Sequence, residues 1–380
     1  MNFIKGDKVI WIVVIILSIF SILAVYSSTG TLAYKYQSGN TEYYLFKHFG
    51  IMILALGLMY LAHLIKYTYY ARISQIALYI AIPLLAYTLF FGTSINEASR
   101  WYTLPMINIS FQPSDFAKLA LIIFIARLLT KKQNEIKEFK STFVPIILPI
   151  LLVCGLILPA DFSTAGLLFL TSLVLIFIGR VNLKYIFALI GISVVMMGLL
   201  IMIIYQYPDV GRFGTWKNRV EQFKGNNDEG NYQAEQAKIA IATGGIFGKM
   251  PGNSMQKDFL PHPYSDYIYA IIIEEFGLIG GFLILFMYLI LLHRSIKIVI
   301  RSPRHFGAFL TIGLSLSLVF QAFIHMAVSL GLLPVTGLTL PLVSMGGTSL
   351  WFTSIAIGII LSVSRDIETQ HKTTTNIATA

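Results

Sequence analysis

Charge is scarce in this chain. Of its 380 residues only 12% are charged, whereas 56% are hydrophobic, a balance outside the range of ordinary soluble domains. Cysteine is nearly absent: Cys154 stands alone, which excludes an intrachain disulfide. No CxxC or HExxH occurs and the seven histidines are scattered, so no structural metal site is expected. GxxxxGK[ST] is missing too. Without a nucleotide cradle, any reaction here must use a substrate that carries its own driving force. No long internal repeat and no matched pair of Gly/Pro-broken apolar runs is found, which disfavours an inverted-repeat transporter.

What the chain has instead is long apolar runs. Runs of about 20 residues match a hydrocarbon core of roughly 30 Å crossed at 1.5 Å per residue, so helices and not barrel strands are expected to span. The expected spans are 9–28, 46–65, 72–92, 112–130, 142–158, 162–179, 183–206, 265–293, 306–332 and 347–364. The first is too long for a secretory signal and lacks a small-x-small cleavage site, so it reads as an uncleaved span. The fold class is therefore all-α and polytopic, with about ten transmembrane helices. A single membrane domain covers 1–365, with one large loop at 207–264 between spans seven and eight. A disordered tail is expected at 366–380.

Short loops sort by charge. Lys66 and Arg72; Arg127, Lys131, Lys132, Lys137 and Lys140; Arg180 and Lys184; and Arg294, Lys297, Arg301 and Arg304 alternate with basic-poor loops. The positive-inside rule makes the basic loops and both termini cytoplasmic and the 207–264 loop extracytoplasmic. The net charge of +10 is then topological, and no nucleic-acid partner is expected. Within the large loop, "NYQAEQAKIAIATGG" reads as a helix stopped by Gly244 and Gly245, and "KMPGNSMQKD" as a mobile connector.

On that topology the even-numbered spans open at the outer surface, and four polar clusters sit there. Span four opens with "QPSDFAK", where Asp115 and Lys118 share a helix face. Span six opens with Asp161 and Thr164, span eight with Ser265 and Asp266, and span ten follows "LPLVSMGGTS". Ionisable groups in spans are costly and normally face protein or water. Each carboxylate has a plainer role open to it, since Asp115, Asp161 and Asp266 all stand where an acid complements a helix amino end. Glu274 lies where it could line the same cavity lower down, and both Glu274 and Glu275 suit helix-to-helix contacts. The clusters fit a lipid-linked sugar pyrophosphate as substrate, with basic groups on the pyrophosphate and Asp266 as base. They also fit a proton-coupled carrier.

Five motifs then resemble one family in order: "RWYTLPMINISFQPSDFAKLALI" (100–122), "ADFSTAG" (160–166), "YQAEQAKIAIATGGIFGK" (232–249), "LPHPYSDYIYAIIIEEFGLIGG" (260–281) and "LLPVTGLTLPLVSMGGTSLWFTSIAIGIILSVSR" (332–365). They resemble the SEDS family (shape, elongation, division and sporulation), polytopic peptidoglycan glycosyltransferases. "TWKNRVEQF" (215–223) and "TGLTLPLVSMGGTS" look closer to the division branch, FtsW-like, than to the rod-elongation branch, RodA-like.

The resemblance implies polymerisation of lipid II on the outer face of the bacterial inner membrane, with undecaprenyl pyrophosphate released and a divalent cation (Mg or Mn) assisting. It implies a class B penicillin-binding protein and other divisome proteins as partners. The family's essential aspartate matches Asp266, its QPSE motif and following lysine map to Asp115 and Lys118, its PDLGTA motif to Asp161 and Thr164, and its Arg-Trp to Arg100 and Trp101. There are departures: Asp115 is shorter than the family's glutamate, Ser163 replaces a glycine, and the PEAHTD approach reads "PHPYSD", with His262 in place of a glutamate. The expected site is Asp266 as general base with Ser265 beside it. Lys118, Arg100 and Arg212 or Arg219 hold pyrophosphate, and Asp115 and Asp161 orient these or a metal. A lipid II flippase and a non-catalytic scaffold are the alternatives.

Overall fold

The computed structural model describes residues 5–36, 39–95, 98–103, 110–207, 213–223 and 228–378. In chain order the helices are α1 (Lys8–Ser28), α2 (Gly30–Tyr36), α3 (Thr41–Leu64), α4 (Tyr67–Phe91), α5 (Pro113–Lys131), α6 (Val144–Ile157) and α7 (Phe162–Ile178). They continue with α8 (Leu183–Gln206), α9 (Phe213–Phe223), α10 (Asp228–Gly244), α11 (Ile268–Arg301), α12 (His305–Ser329) and α13 (Thr348–Ala378). Between α4 and α5 runs a small antiparallel meander of β1 (Thr93–Ile95), β2 (Ala98–Thr103) and β3 (Ser110–Phe111).

Each expected span falls on a helix, and among the described residues eight helices are long and apolar enough to cross a membrane. Two expected spans do not meet that measure. Helix α7 has 17 residues, and α5 carries Asp115, Lys118, Arg127 and Lys131. The chain is thus an all-α, multi-pass membrane protein.

Local chemistry sets the helix starts. Asp7 accepts the N–H groups of Val9 (3.0 Å) and Ile10 (3.3 Å) at α1, Asn40 that of Tyr43 at α3, and Asn182 that of Lys184 at α8. Helix α12 is buried along most of its length and contacts α5, α7, α11 and α13. Helix α8 is peripheral: of its 24 residues only Ile186, Leu189 and Ile204 are buried. The chain's two ends meet at one end of the bundle, where Asp7 takes Arg294 Nε at 2.8 Å and Gly6 N donates to Glu368 Oε2 at 2.9 Å. The turn bearing Asp266 lies at the other end of α11.

The tail differs from expectation. Helix α13 continues to Ala378, through residues that the sequence places in a disordered tail. No Pro or Gly follows Gly358, so nothing in the backbone chemistry stops it.

The large loop differs more. Helix α11 is interrupted at Gly277, whose φ of 71° and ψ of −174° break the i to i−4 ladder, about 13 Å along the helix from Ile268. Residues 245–250 fill the break. Lys249 N donates to Glu274 O (2.9 Å), Met250 N to Glu275 O (3.0 Å), and Leu278 N to Gly245 O (2.9 Å). Approach this close needs glycine, since a Cβ on Gly277 would collide with Ile246 O and one on Gly244 with Ile273 O. The segment expected to be a mobile connector is held by Glu274. That carboxylate accepts Lys249 Nζ (2.7 Å), Ser254 Oγ (2.5 Å), Met255 N (3.1 Å) and Gln256 N (3.3 Å). Glu274 is fully buried and lines no part of the polar cavity, contrary to expectation. Glu275 accepts a hydrogen bond from Ser27 of α1, the helix-to-helix role expected of it. Helix α10 packs Ala237 and Ala240 against Tyr267, Ala270 and Ile271, so the loop is docked on the bundle.

Removing the Glu274 carboxylate leaves a buried hydroxyl and two N–H groups unpaired, a loss on the order of 3 kcal/mol. Glu274→Ala should lower the unfolding temperature in detergent and expose 249–256 to protease. Lys249→Ala should do less, because that ammonium is partly solvated. Equal effects would show that the ion pair, and not the loop clasp, carries the stabilisation.

Candidate active site

All four of the expected polar clusters line one cavity of about 520 Å³. Asp115 and Lys118 reach it from the first turns of α5, where Pro113 starts the helix with the fixed φ suited to that place. Lys118 Nζ lies 3.3 Å from Asp115 Oδ1 and 2.9 Å from Gln321 Oε1. Asp115 Oδ2 is buried without a hydrogen-bond partner among the described residues. Asp161 lies at the head of α7 and accepts Thr164 N at 3.0 Å, so its capping role is real.

Asp266 sits two residues before α11 begins, in a turn and not in the helix itself. His262 adopts φ 55°, and its carbonyl takes the N–H groups of Ser265 and Asp266, each at 3.1 Å. Ser265 Oγ donates to Asp266 Oδ1 at 2.9 Å. The turn is fastened to the "SMGG" segment: Met345 N donates to Tyr264 O (3.0 Å) and Ser344 Oγ to Ser265 O (2.8 Å). His262 Nδ1 lies 2.8 Å from the Tyr264 hydroxyl, and Tyr264 lines the cavity.

The segment between α12 and α13 lies within the bundle without being helical, so its carbonyls need internal donors. Gln321 Nε2 supplies Thr339 O (2.8 Å), Tyr288 supplies Pro341 O (2.5 Å), and Ser21 supplies Val343 O (2.8 Å). His325 Nδ1 lies 2.8 Å from Leu338 O and donates, since a carbonyl only accepts. Sequence reasoning missed Gln321, His325 and Ser21. The signal was available for the first two, as polar side chains inside an apolar run.

A second cavity, of about 640 Å³, adjoins the first and shares Asp161 and Leu338 with it. Its walls are apolar, built from α7, α8 and α12, with Trp216, Lys217 and Arg219 of α9 also lining it. Arg219 therefore lines this cavity and not the one holding Asp266 and Lys118, which departs from the expected clustering because α9 lies beside α8. The Arg100 side chain and all of Arg212 lie outside the described residues, although Trp101, next to Arg100, lines the first cavity.

The cap and the charge of Asp161 are separable. Asp161→Asn keeps an acceptor for Thr164 N and should leave thermal stability near wild type, whereas Asp161→Ala should cost about 1 kcal/mol. Equal destabilisation by both would mean that the charge itself stabilises α7.

Comparison with known proteins agrees with this architecture. A probable peptidoglycan glycosyltransferase FtsW of Geobacter sulfurreducens is 32% identical over 375 residues, covering 95% of each chain. Stage V sporulation protein E of Bacillus subtilis is 32% identical over 369 residues, covering 94% of this chain and 97% of that protein. Two solved structures share the fold. One is a peptidoglycan synthase complex that coordinates polymerization and crosslinking (TM-score 0.75, 24% identity, covering 95% of this chain and 98% of that one). The other is the rod shape determining protein RodA of Thermus thermophilus (TM-score 0.70, 23% identity, covering 96% and 99%). The family model of the FtsW, RodA and SpoVE cell cycle proteins matches residues 7–369. With that match and relatives above 30% identity over nearly its whole length, the chain belongs to the FtsW/RodA/SpoVE family.

Proposed function

We infer that this chain is a peptidoglycan glycosyltransferase that joins lipid II units into glycan strands and serves the division septum. The observation that carries the reading is the convergence of Asp266, Ser265, Asp115 and Lys118 on one cavity whose neighbour is apolar. Family membership and FtsW-named relatives support the reaction, and the "TWKNRVEQF" stretch supports the division branch over elongation.

Asp266 takes the proton from the acceptor sugar hydroxyl, and that oxygen attacks the anomeric carbon of the donor. The carbon–oxygen bond to pyrophosphate breaks, and undecaprenyl pyrophosphate departs with the electron pair. Lys118 neutralises the charge that develops there. Asp115 and Gln321 hold the Lys118 ammonium, and Ser265 holds one Asp266 oxygen so that the other faces the hydroxyl. A prenyl chain suits the apolar second cavity, and Arg219 and Lys217 stand beside it.

No group of three or more His, Cys, Asp or Glu able to hold a metal occurs among the described residues. The unpartnered Asp115 Oδ2 fits a different arrangement, in which a single carboxylate and substrate phosphates share a magnesium or manganese ion. Such an ion would supply positive charge to the pyrophosphate.

The basic loops support a topology with both termini in the cytoplasm and the cavity at the outer face of the bacterial inner membrane. We assign a single-pass class B penicillin-binding protein as the partner, with other divisome proteins around it; the fold shared with a chain of a peptidoglycan synthase complex supports that choice.

Purified protein in liposomes with fluorescent lipid II tests the reading. Wild type should make a glycan ladder, and Asp266→Ala should lose it by at least about 100-fold with the unfolding temperature unchanged. Normal polymer from Asp266→Ala would remove the base, and movement of lipid II between leaflets without chain growth would replace the enzyme with a flippase.

A further inference from the structure

Among the described residues, cations on the Asp266 cavity's own wall are few, although Lys217 and Arg219 line the adjoining cavity that shares Asp161. Among the described residues that line the Asp266 cavity, three carboxylates, Asp115, Asp161 and Asp266, face two ammonium groups, Lys118 and Lys47. Lys118 is committed, with Asp115 at 3.3 Å and Gln321 at 2.9 Å. Lys47 makes no ion pair or hydrogen bond with another described residue. A pyrophosphate diester brings two further negative charges, and an uncommitted cation on the wall can meet charge that Lys118, held by Asp115 and Gln321, does not.

Backbone geometry fixes where Lys47 stands. Helix α3 buries Tyr44, His48, Met52 and Ala55 on one face, while Lys47 and Ile51, four residues apart, line the cavity beside it. The rotation is locked by His48. Ser21 Oγ has one proton and gives it to Val343 O at 2.8 Å, so His48 Nε2, 2.8 Å away, must donate to that hydroxyl. The same Ser21 thus ties α3 to the 338–347 segment that lines the cavity. Lys47 lies two turns into α3, a depth at which a lysine reaches the phosphate layer of a bilayer.

We propose that Lys47 is a substrate-binding residue that holds the pyrophosphate of a prenyl-linked substrate at the α3 side of the cavity. The inference rests on the glycosyltransferase reading. Lys47 grips the pyrophosphate before and during reaction alike, whereas Lys118 meets the charge that appears as the bond breaks. Loss of Lys47 should therefore raise KM and spare kcat.

Full-length protein in detergent is titrated with inorganic pyrophosphate, read by tryptophan fluorescence, since Trp101 and Trp351 line the cavity. Lys47→Met should weaken binding about tenfold and raise KM for lipid II by a similar factor, with kcat within about threefold. Lys47→Arg should keep both near wild type. Wild-type binding by Lys47→Met, absence of pyrophosphate binding in wild type, or a fall in kcat with KM unchanged would each overturn the proposal. A Lys47→Met defect seen only in vesicles containing phosphatidylglycerol, and not in phosphatidylcholine, would also overturn it and make Lys47 a headgroup anchor. Pyrophosphate binding that needs Lys47 in a protein that makes no polymer would support the site while removing the glycosyltransferase reading.

Discussion

Inside an apolar bundle every backbone N–H and C=O must find a partner within the protein, and this chain is built around two places where helix does not supply one. At Gly277 the α11 ladder is interrupted, and residues 245–250 restore the lost bonds. Between α12 and α13 the carbonyls of Leu338, Thr339, Pro341 and Val343 are met by His325, Gln321, Tyr288 and Ser21. Both repairs serve the cavity. The first docks the large loop on the half of α11 that follows Asp266, and the second holds the segment to which the Asp266 turn is fastened.

The buried acids divide by how fully their oxygens are used. Glu274 spends both oxygens on a loop, with four donors around it, and Asp7 spends its own on a helix start and Arg294. Among the described residues Asp115 keeps one oxygen without a partner at the cavity, whereas the unpartnered oxygen of Glu275 lies away from it, and Asp266 is half-buried at the cavity wall. A buried acid with satisfied oxygens is architecture; one left incomplete at a cavity is positioned for something that arrives.

Much of this was legible in the sequence. Apolar runs located the helices because length and hydropathy leave few alternatives in a membrane. Polar residues at the span openings located Asp115, Lys118, Asp161 and Asp266, because acids are rare there. The rest depended on contacts between distant segments. Nothing local to "KMPGNSMQKD" reveals that Glu274 will hold it, since the two are joined only when the α11 break admits the loop. Arg219 was grouped with Lys118 on charge alone, and only the placement of α9 beside α8 puts it in the neighbouring cavity. Lys47 carries no local signal of its place, because its register relative to the cavity is set by His48, Ser21 and Val343 together.

The two sides of the site are held very differently. At Gly358 helix α13 approaches α3 so closely that a Cβ would strike Met59 O, and the two helices are in contact along much of their length. Helix α8 has little protein around it. Shifting α8 would therefore give up little buried contact, whereas shifting α3 would break close backbone packing.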